Sequence, residues 1–502
     1  MQTWQMLLKA GQCAEIPKSV DRWCRMVRGY THPWRTCGRD FRCTFRPGGF
    51  AGGNGIAETR LSNHVPHPSA WYCCDWEYKT DMFLIYSILY AVALAFLFFP
   101  QYLKRPRDLR KKWLRDKFGM FDTSRLTSHA SPIWIHAVSV GEVNAAIPLL
   151  KKLRHAYPDQ AVVLSTITDT GQKVAGEKAP EGTTIVYLPF DLGFILNPCF
   201  EQVKPKLFIV VETELWPNIF KVAHVRGVPV LVLNGRISEK SSKGYQKVSF
   251  FMKKVFSHVA LFCMQSDADA ARIRAIGAED KKVRVSGNFK FDMDISQDVP
   301  DWVKGLAGPV IVAGSTHAGE EQIIINAYRE NVYLFPGLKL VIAPRHPERF
   351  KEVEDIIIKS DIRYVKRSDI STESQKLRAD SSYILLLDTV GELTAVYSIA
   401  DIAVIGKSFE GFGGQNPLEP AYWGKPVIFG PHMENFPFVR RFMEEGAAFE
   451  VTSISLAKKI KELLMQPEKA KAAGEHARAF YQRNSGTVDR ALKIIEEFID
   501  KK

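Results

Sequence analysis

Between Phe83 and Phe99 this 502-residue chain has no charged residue at all. A run of that kind excludes an ordinary amphipathic surface helix, which needs a polar face. It ends at Pro100 and sits at the short end of the ~17–25 residues a membrane span requires; continuing to Leu103 makes it adequate. The alternative is a buried core helix, although such helices are seldom apolar on every face over this length. Cysteine is scarce in the main body. Six of eight cysteines (Cys13, Cys24, Cys37, Cys43, Cys73, Cys74) precede residue 82, which leaves only Cys199 and Cys263. Two isolated cysteines provide no disulfide framework, so the body reads as cytosolic. Net charge is scarce there too. Of the total of +13, residues 101–117 supply +6 and residues 1–81 supply +4, and the remaining 385 residues carry only +3. A nucleic-acid protein spreads basic charge over a folded face, so no nucleic-acid partner is expected. Basic charge beside an apolar run points instead to a membrane surface.

Residues 1–81 have little periodicity, many turn residues and half of the tryptophans: Trp4, Trp23, Trp34, Trp71 and Trp76. Their cysteine spacings match no metal signature, and there is no secretory cleavage pattern. The segment reads as a small cysteine-rich domain, as a disordered extension, or as a stretch outside the native protein, with translation starting at Met82. The last of these is the expectation adopted. After the apolar run come Lys104, Arg105, Arg107, Arg110, Lys111 and Lys112. Basic flanks stay on the cytoplasmic side, which places the rest of the chain there. Leu109, Trp113 and Leu114 among those charges suggest a helix lying in the membrane interface.

The body alternates strand-like and helix-like stretches, the pattern of a parallel sheet covered on both faces. Ile133–Val138 reads as a buried strand, Gly141 allows a turn, and Ala145, Ala146, Leu149, Leu150 and Leu153 then share one helical face. Glu142 therefore sits in the first turn of a helix at a strand's carboxyl end, where open α/β sheets place ligands. The positive helix end is expected to keep it ionised, and an ionised carboxylate in a cleft serves as a general base. The other reading is a well-placed first-turn acid. Further strands are expected at Ala161–Ser165, Thr184–Leu188, Leu207–Val211, Val228–Leu233, Val259–Met264 and Val283–Ser286. Glu212-Thr-Glu214 and Asn234-Gly-Arg236 follow two of them, so Glu212 and Arg236 fall on the same edge as Glu142. No G-x-G-x-x-G follows the first strand, and a carboxylate there repels a pyrophosphate. This half reads as the side that holds an acceptor and a base.

Asp292–Lys304 is polar, carries Pro300 and reads as a linker. A second series begins at Val310–Ser315, with strands at Leu338–Ala343, Tyr383–Leu387, Ile402–Ile405 and Val427–Phe429. Three clusters in it suit a nucleotide. Ser315 and Thr316 lie in Gly314-Ser-Thr-His-Ala-Gly319, a strand–turn–helix whose N–H groups face an anion. Arg345 and His346 follow a strand, and arginine suits bidentate phosphate contact. Gly413, Gly414, Asn416 and Glu419 belong to a glycine-rich loop before a helix, a candidate anion nest with a carboxylate to accept ribose hydroxyls. Each is weak singly, because glycine loops are often only turns. The final helix, with Ile494, Ile495, Phe498 and Ile499, is placed to pack back on the first domain.

Residues 82–502 resemble the 3-deoxy-D-manno-oct-2-ulosonic acid (Kdo) transferases of Gram-negative bacteria. The resemblance rests on His136-Ala-Val-Ser-Val-Gly-Glu142, Glu212-Thr-Glu-Leu-Trp-Pro217, Asn234-Gly-Arg236, Gly287-Asn-Phe-Lys290, Pro344-Arg-His-Pro347 and Gly413-Gly-Gln-Asn-Pro-Leu-Glu419. It implies an α/β GT-B fold, two Rossmann-like domains facing across a cleft behind an N-terminal membrane anchor helix. It also implies a CMP-Kdo donor, a lipid A precursor (lipid IVA) as acceptor, the cytoplasmic face of the inner membrane as location, and neither metal nor cofactor. By the same resemblance Glu142 is the general base, Lys290, Arg345, Asn416 and Glu419 bind CMP, and Glu212 is an acidic position near the cleft. The expected divisions are residues 1–81, an anchor and basic helix at 82–117, an acceptor domain at 118–297, a CMP-sugar domain at 298–485, and a returning helix at 486–502. The alternatives are a membrane-associated GT-B transferase using a UDP-sugar, or a non-catalytic binding protein on that fold.

Overall fold

Two parallel sheets organise the computed structural model, which describes residues 81–122, 131–293, 295–370, 381–411 and 413–499. The expectations for residues 1–80 lie outside the described residues. The first sheet contains β1 (Ile133–His136), β2 (Val162–Thr166), β3 (Thr183–Tyr187), β4 (Leu207–Val211), β5 (Val230–Gly235), β6 (Leu261–Met264) and β7 (Val283–Val285), in the order β3-β2-β1-β4-β5-β6-β7. The second contains β8 (Val310–Thr316), β9 (Lys339–Pro344), β10 (Tyr364–Lys366), β11 (Tyr383–Leu386), β12 (Ile402–Ile405), β13 (Val427–Phe429) and β14 (Ala448–Glu450), in the order β10-β11-β9-β8-β12-β13-β14. All strand pairs are parallel. Helices on both faces explain why β4, Leu-Phe-Ile-Val-Val, is buried at every residue rather than at alternate ones. Two Rossmann-like sheets in series behind an apolar helix make the α/β GT-B architecture that the resemblance implies.

Strand order fixes where ligands enter. In the first sheet the chain reverses direction across the sheet between β1 and β4, and in the second between β8 and β12. Crevices open at the carboxyl ends of such pairs. Helix α3 (Val140–Ala156) leaves β1 and is anchored over the first sheet by buried Val143, Ala146, Leu149, Leu150 and Leu153.

The last helix, Thr487–Ile499, returns to the first sheet. It places Val488, Ala491, Ile494 and Ile495 in that sheet's core. Asp292, in the connection between the sheets, caps it: the carboxylate accepts from Gly486 N–H (2.6 Å), the Thr487 hydroxyl (2.6 Å) and Val488 N–H (2.5 Å). A negative group is stabilising at that helix end. Next to it, Phe291 packs on Phe438 (5.1 Å) and Phe480 (5.9 Å) of the second half. The connection is thus clamped by aromatic packing on one side and a helix cap on the other.

Helix α1 (Met82–Leu103) is long and apolar enough to cross a membrane. Tyr90, Leu94, Phe98 and Tyr102, four residues apart, form one stripe that packs on Trp113, Tyr187 and Phe190. Tyr86 continues the stripe and donates its hydroxyl to buried Asp191 at 2.8 Å. Ile88, Leu89, Val92, Phe96, Phe99 and Leu103 remain exposed on the rest of the helix. In helix α2 (Arg107–Lys117), Trp113 departs from the interfacial expectation. It is fully buried in the aromatic cluster, with the Arg105 guanidinium 4.5 Å over its ring.

Candidate active site

At the β1/β4 crevice the backbone brings three carboxylates together. Glu142 stands in the first turn of α3, three residues after the N-cap Ser139, in the spacing of a capping box. Its carboxylate accepts from Val138 N–H (2.6 Å) and from the Ser139 hydroxyl (3.2 Å). Glu212 and Glu214 leave the end of β4, and Glu212 adopts a left-handed backbone (φ 63°) that an L-residue holds only at a cost. Burial is the main reason why the Glu142 carboxyl is pushed up to about 8, with the charges of Glu214 and then Glu212 adding to it. The two hydrogen bonds pull the other way and lose. The helix end is thus not what sets the Glu142 carboxyl: burial and the neighbouring carboxylates outweigh it and raise its proton affinity.

Cations face this cluster from the next strands. Lys290 lies on a short turn after β7, and its ammonium sits 4.8 Å over the ring of Phe436, which belongs to the second half. Burial lowers its pKa, and Glu212 holds it back up. Glu212 is itself raised by burial and lowered by Lys290 and Arg236. Arg236 is fixed through its backbone N–H to the Thr213 hydroxyl at 2.8 Å. The left-handed Asn234 (φ 56°) holds the Lys290 turn by accepting from Phe289 N–H at 3.0 Å.

At the β8/β12 crevice lies a cavity of about 160 Å³ lined by Gly314, Ser315, Arg345, Leu393, Tyr397, Gln415, Asn416 and Glu419. Ser315 is left-handed (φ 57°). Glu419 accepts from the Thr394 hydroxyl at 2.7 Å. Burial raises its pKa, while Thr394 and the Arg345 charge oppose the rise. The crevice is held open by a buried clasp. Glu320, fully buried at the start of helix Glu320–Val332, accepts four backbone N–H groups, from His317 (2.9 Å), Lys407 (2.6 Å), Ser408 (2.8 Å) and Phe409 (2.9 Å). It ties the loop after β8 to the loop after β12. A larger cavity, about 460 Å³, lies beside Gly308, Asp401 and Lys425 at the amino ends of β8, β12 and β13, the end of the sheet opposite to the site.

Several expected nucleotide contacts stand behind this cavity. Thr316 is fully buried and gives its hydroxyl to Glu321 at 2.8 Å, so it serves the scaffold. The Gly413 N–H is taken by Glu434 (2.9 Å) and the Gly414 N–H by the Lys407 carbonyl (3.0 Å), so these two amides form no anion nest. Both glycines are favoured by their backbone instead, with φ 111° at Gly413 and 66° at Gly414. A Cβ at Gly413 falls 2.3 Å from Asn435, and one at Gly414 falls 2.3 Å from Met433. His346 is exposed and packs edge-on against His317 at 5.3 Å, outside the cavity lining. Among the described residues no three His, Cys, Asp or Glu side chains are grouped as a metal site.

A family model described as 3-Deoxy-D-manno-octulosonic-acid transferase (kdotransferase) matches residues 112–293, and a glycosyl transferases group 1 model matches residues 322–480. A 3-deoxy-D-manno-octulosonic acid transferase of Haemophilus influenzae is 32% identical over 408 residues, 80% of this chain and 94% of the relative. The chain belongs to the Kdo transferase family. Another such transferase, from Aquifex aeolicus, is 31% identical over 346 residues, 68% of this chain and 89% of its own. Among solved structures, a putative UDP-N-acetylglucosamine 2-epimerase from Listeria monocytogenes has a TM-score of 0.51 at 13% identity, covering 74% of this chain and 97% of its own, a likeness of fold alone.

The transferase thus groups Glu142, Glu212, Arg236 and Lys290 at one crevice, and Ser315, Arg345, Asn416 and Glu419 at the other. The sequence reading passed over Glu214, whose charge acts on Glu142 more than that of Glu212 does. The signal was the second acid of Glu-Thr-Glu. It also passed over Gln415, inside the quoted Gly-Gly-Gln-Asn-Pro run, and over Phe436 and Tyr397, which lie in no motif.

Proposed function

We propose that this Kdo glycosyltransferase moves Kdo from CMP-Kdo to a hydroxyl of the lipid A precursor, in lipopolysaccharide synthesis at the cytoplasmic face of the inner membrane. The observation that carries the reading is Glu142, a buried carboxyl at the β1/β4 switch whose proton affinity lies close to neutral pH. A base is most effective when its pKa is near the working pH. In the reaction the acceptor oxygen bonds to the anomeric carbon of Kdo and passes its proton to the ionised Glu142 carboxylate. The bond from that carbon to the CMP phosphate breaks, and CMP leaves with the bonding electrons. Charge grows on the departing phosphate, and fixed cations at that place lower the barrier. Lys290 and Arg345 are the cations for this role, in place of the glycine amides. Asn416 and Glu419, in the cavity beside Arg345, are assigned to the ribose. Glu212 holds Lys290 charged against burial, and Arg236 completes the acceptor side.

Helix α1 is read as an anchor that lies along the membrane surface. Its aromatic stripe is spent on the protein, and its other face is apolar, exposed and left for lipid. A helix docked in this way brings the β1/β4 crevice to a lipid acceptor.

Donor competition tests the reading. CMP is expected to inhibit transfer and to protect the second half against heat, while UDP at the same concentration does neither. Protection by UDP instead of CMP overturns the donor assignment.

A further inference from the structure

Helices Glu239–Gln246 and Ser249–Ser257 follow one another beside α1, and the proposed transfer chemistry does not use them. The second of them is joined to α1 by packing: the Phe251 ring lies 6.1 Å from that of Tyr86. This second helix is strongly two-faced. Phe251, Met252, Val255 and Phe256 are buried against the first half. Phe250, Lys253 and Lys254 share the opposite face, at the i, i+3, i+4 spacing that makes helix neighbours, and all three are exposed. Phe250 is 64% exposed, a large ring in water at the start of a helix. Lys240, Lys243 and Lys247 add exposed positive charge just before it. From residue 239 to 257 there are five lysines and one acid, Glu239, which pairs with Lys243 at 2.7 Å. The rest of the body is nearly neutral, so this concentration of charge is local.

An exposed aromatic ring among lysines, on a helix that packs against α1, matches one partner chemistry. Anionic headgroups meet the ammonium groups, and the ring enters the boundary between headgroup and acyl chain. Position supports the same partner. Tyr245, on the first helix, lies within the electrostatic reach of both Tyr86 on α1 and Glu214 in the crevice. These two helices therefore lie close both to the anchor and to the acids of the β1/β4 crevice. We infer that residues 239–257 are a second membrane contact, in which Phe250, Lys247 and Lys253 bind a surface of anionic phospholipid and orient the crevice toward it. The inference rests on the membrane reading of α1 and adds a lipid charge requirement that α1 itself does not have.

The test is hydrogen exchange, followed by mass spectrometry, of the full chain on phosphatidylethanolamine vesicles with and without phosphatidylglycerol. Exchange in α1 is expected to slow on both vesicles. Exchange across 239–257 is expected to slow only where phosphatidylglycerol is present. The double variant Lys247→Gln/Lys253→Gln is expected to lose that slowing, and its affinity for the anionic vesicles to fall roughly thirtyfold, the effect of two lysine–headgroup attractions. Phe250→Ser is expected to weaken the slowing while leaving its charge dependence. Both variants should turn over detergent-dispersed acceptor as wild type does, because neither touches the catalytic groups. Slowing in α1 without slowing at 239–257 overturns this inference and leaves the anchor standing. Slowing at 239–257 that ignores phosphatidylglycerol or survives the lysine variant overturns it as well. No slowing anywhere removes the anchor reading together with it.

Discussion

The substitution Glu142→Gln keeps the shape of the protonated side chain and removes its ability to ionise. The carboxyl titrates near 8 in the folded protein against 4.5 without its surroundings. A raised carboxyl pKa means that the fold favours the neutral form. Wild type and variant should then be equally stable below about pH 4.5, where both side chains are neutral in both states. Between pH 4.5 and 8 the unfolded wild type gains stability by ionising while the folded one does not, so wild type falls behind. At pH 7 the gap is about 3 kcal/mol, and above pH 8 it approaches a ceiling of about 5 kcal/mol. In a domain of this size about 3 kcal/mol corresponds to roughly 6–12 °C in Tm. The glutamine oxygen can still accept from Val138 N–H, so the α3 start is preserved. The assay is thermal unfolding of both proteins from pH 4 to 9, with turnover measured on the same samples. The expected signature is a variant whose Tm lead over wild type grows as pH rises while its turnover is lower by about 10²–10⁴, the usual worth of a general base. A Tm difference that stays flat with pH refutes the assigned burial and charge crowding. Near wild-type turnover refutes the base.

The remaining expectations use other groups. In wild type, kcat/KM should rise with pH and level off above about 8 as Glu142 ionises; a profile flat from pH 6 to 9 contradicts this. Arg345→Ala should weaken CMP-Kdo binding by about 10–100-fold, the worth of one charged hydrogen bond to phosphate, as read by calorimetry; an unchanged affinity removes Arg345 from the donor site. Glu320→Ala leaves four N–H groups, two of them fully buried, without their acceptor and should cost roughly 3–5 kcal/mol, visible as a lower Tm that added CMP-Kdo only partly restores. EDTA should leave turnover unchanged, and loss restored by a divalent ion would show that cations beyond Lys290 and Arg345 are needed.

The sequence was most informative where strands end. Ile133–Val138, Leu207–Val211 and Ile402–Ile405 are short apolar runs followed at once by polar residues, and all three prove to be switch-point strands or to lead into one. Strands β10 and β14 escaped notice because each is a three-residue edge strand, too short and too exposed for an apolar run to show. The protonation of Glu142 was illegible for a different reason. The helix end is encoded beside it, but the opposing charges arrive from Glu212 and Glu214, some seventy residues later, and only the parallel pairing of β1 with β4 brings them together. Gly413 and Gly414 misled in the same way. A glycine-rich loop serves either an anion or a left-handed turn, and only the acceptors Glu434 and the Lys407 carbonyl, which take its N–H groups, decide between them.

Transfer itself is the most direct test. The protein would be incubated with a tetra-acylated lipid A precursor and CMP-Kdo, and the lipid followed by mass spectrometry, with the Glu142→Gln variant alongside. The account predicts mass steps of one Kdo in the wild type and almost none in the variant. An unshifted lipid with the CMP-Kdo still intact, or equal steps in both proteins, would contradict it.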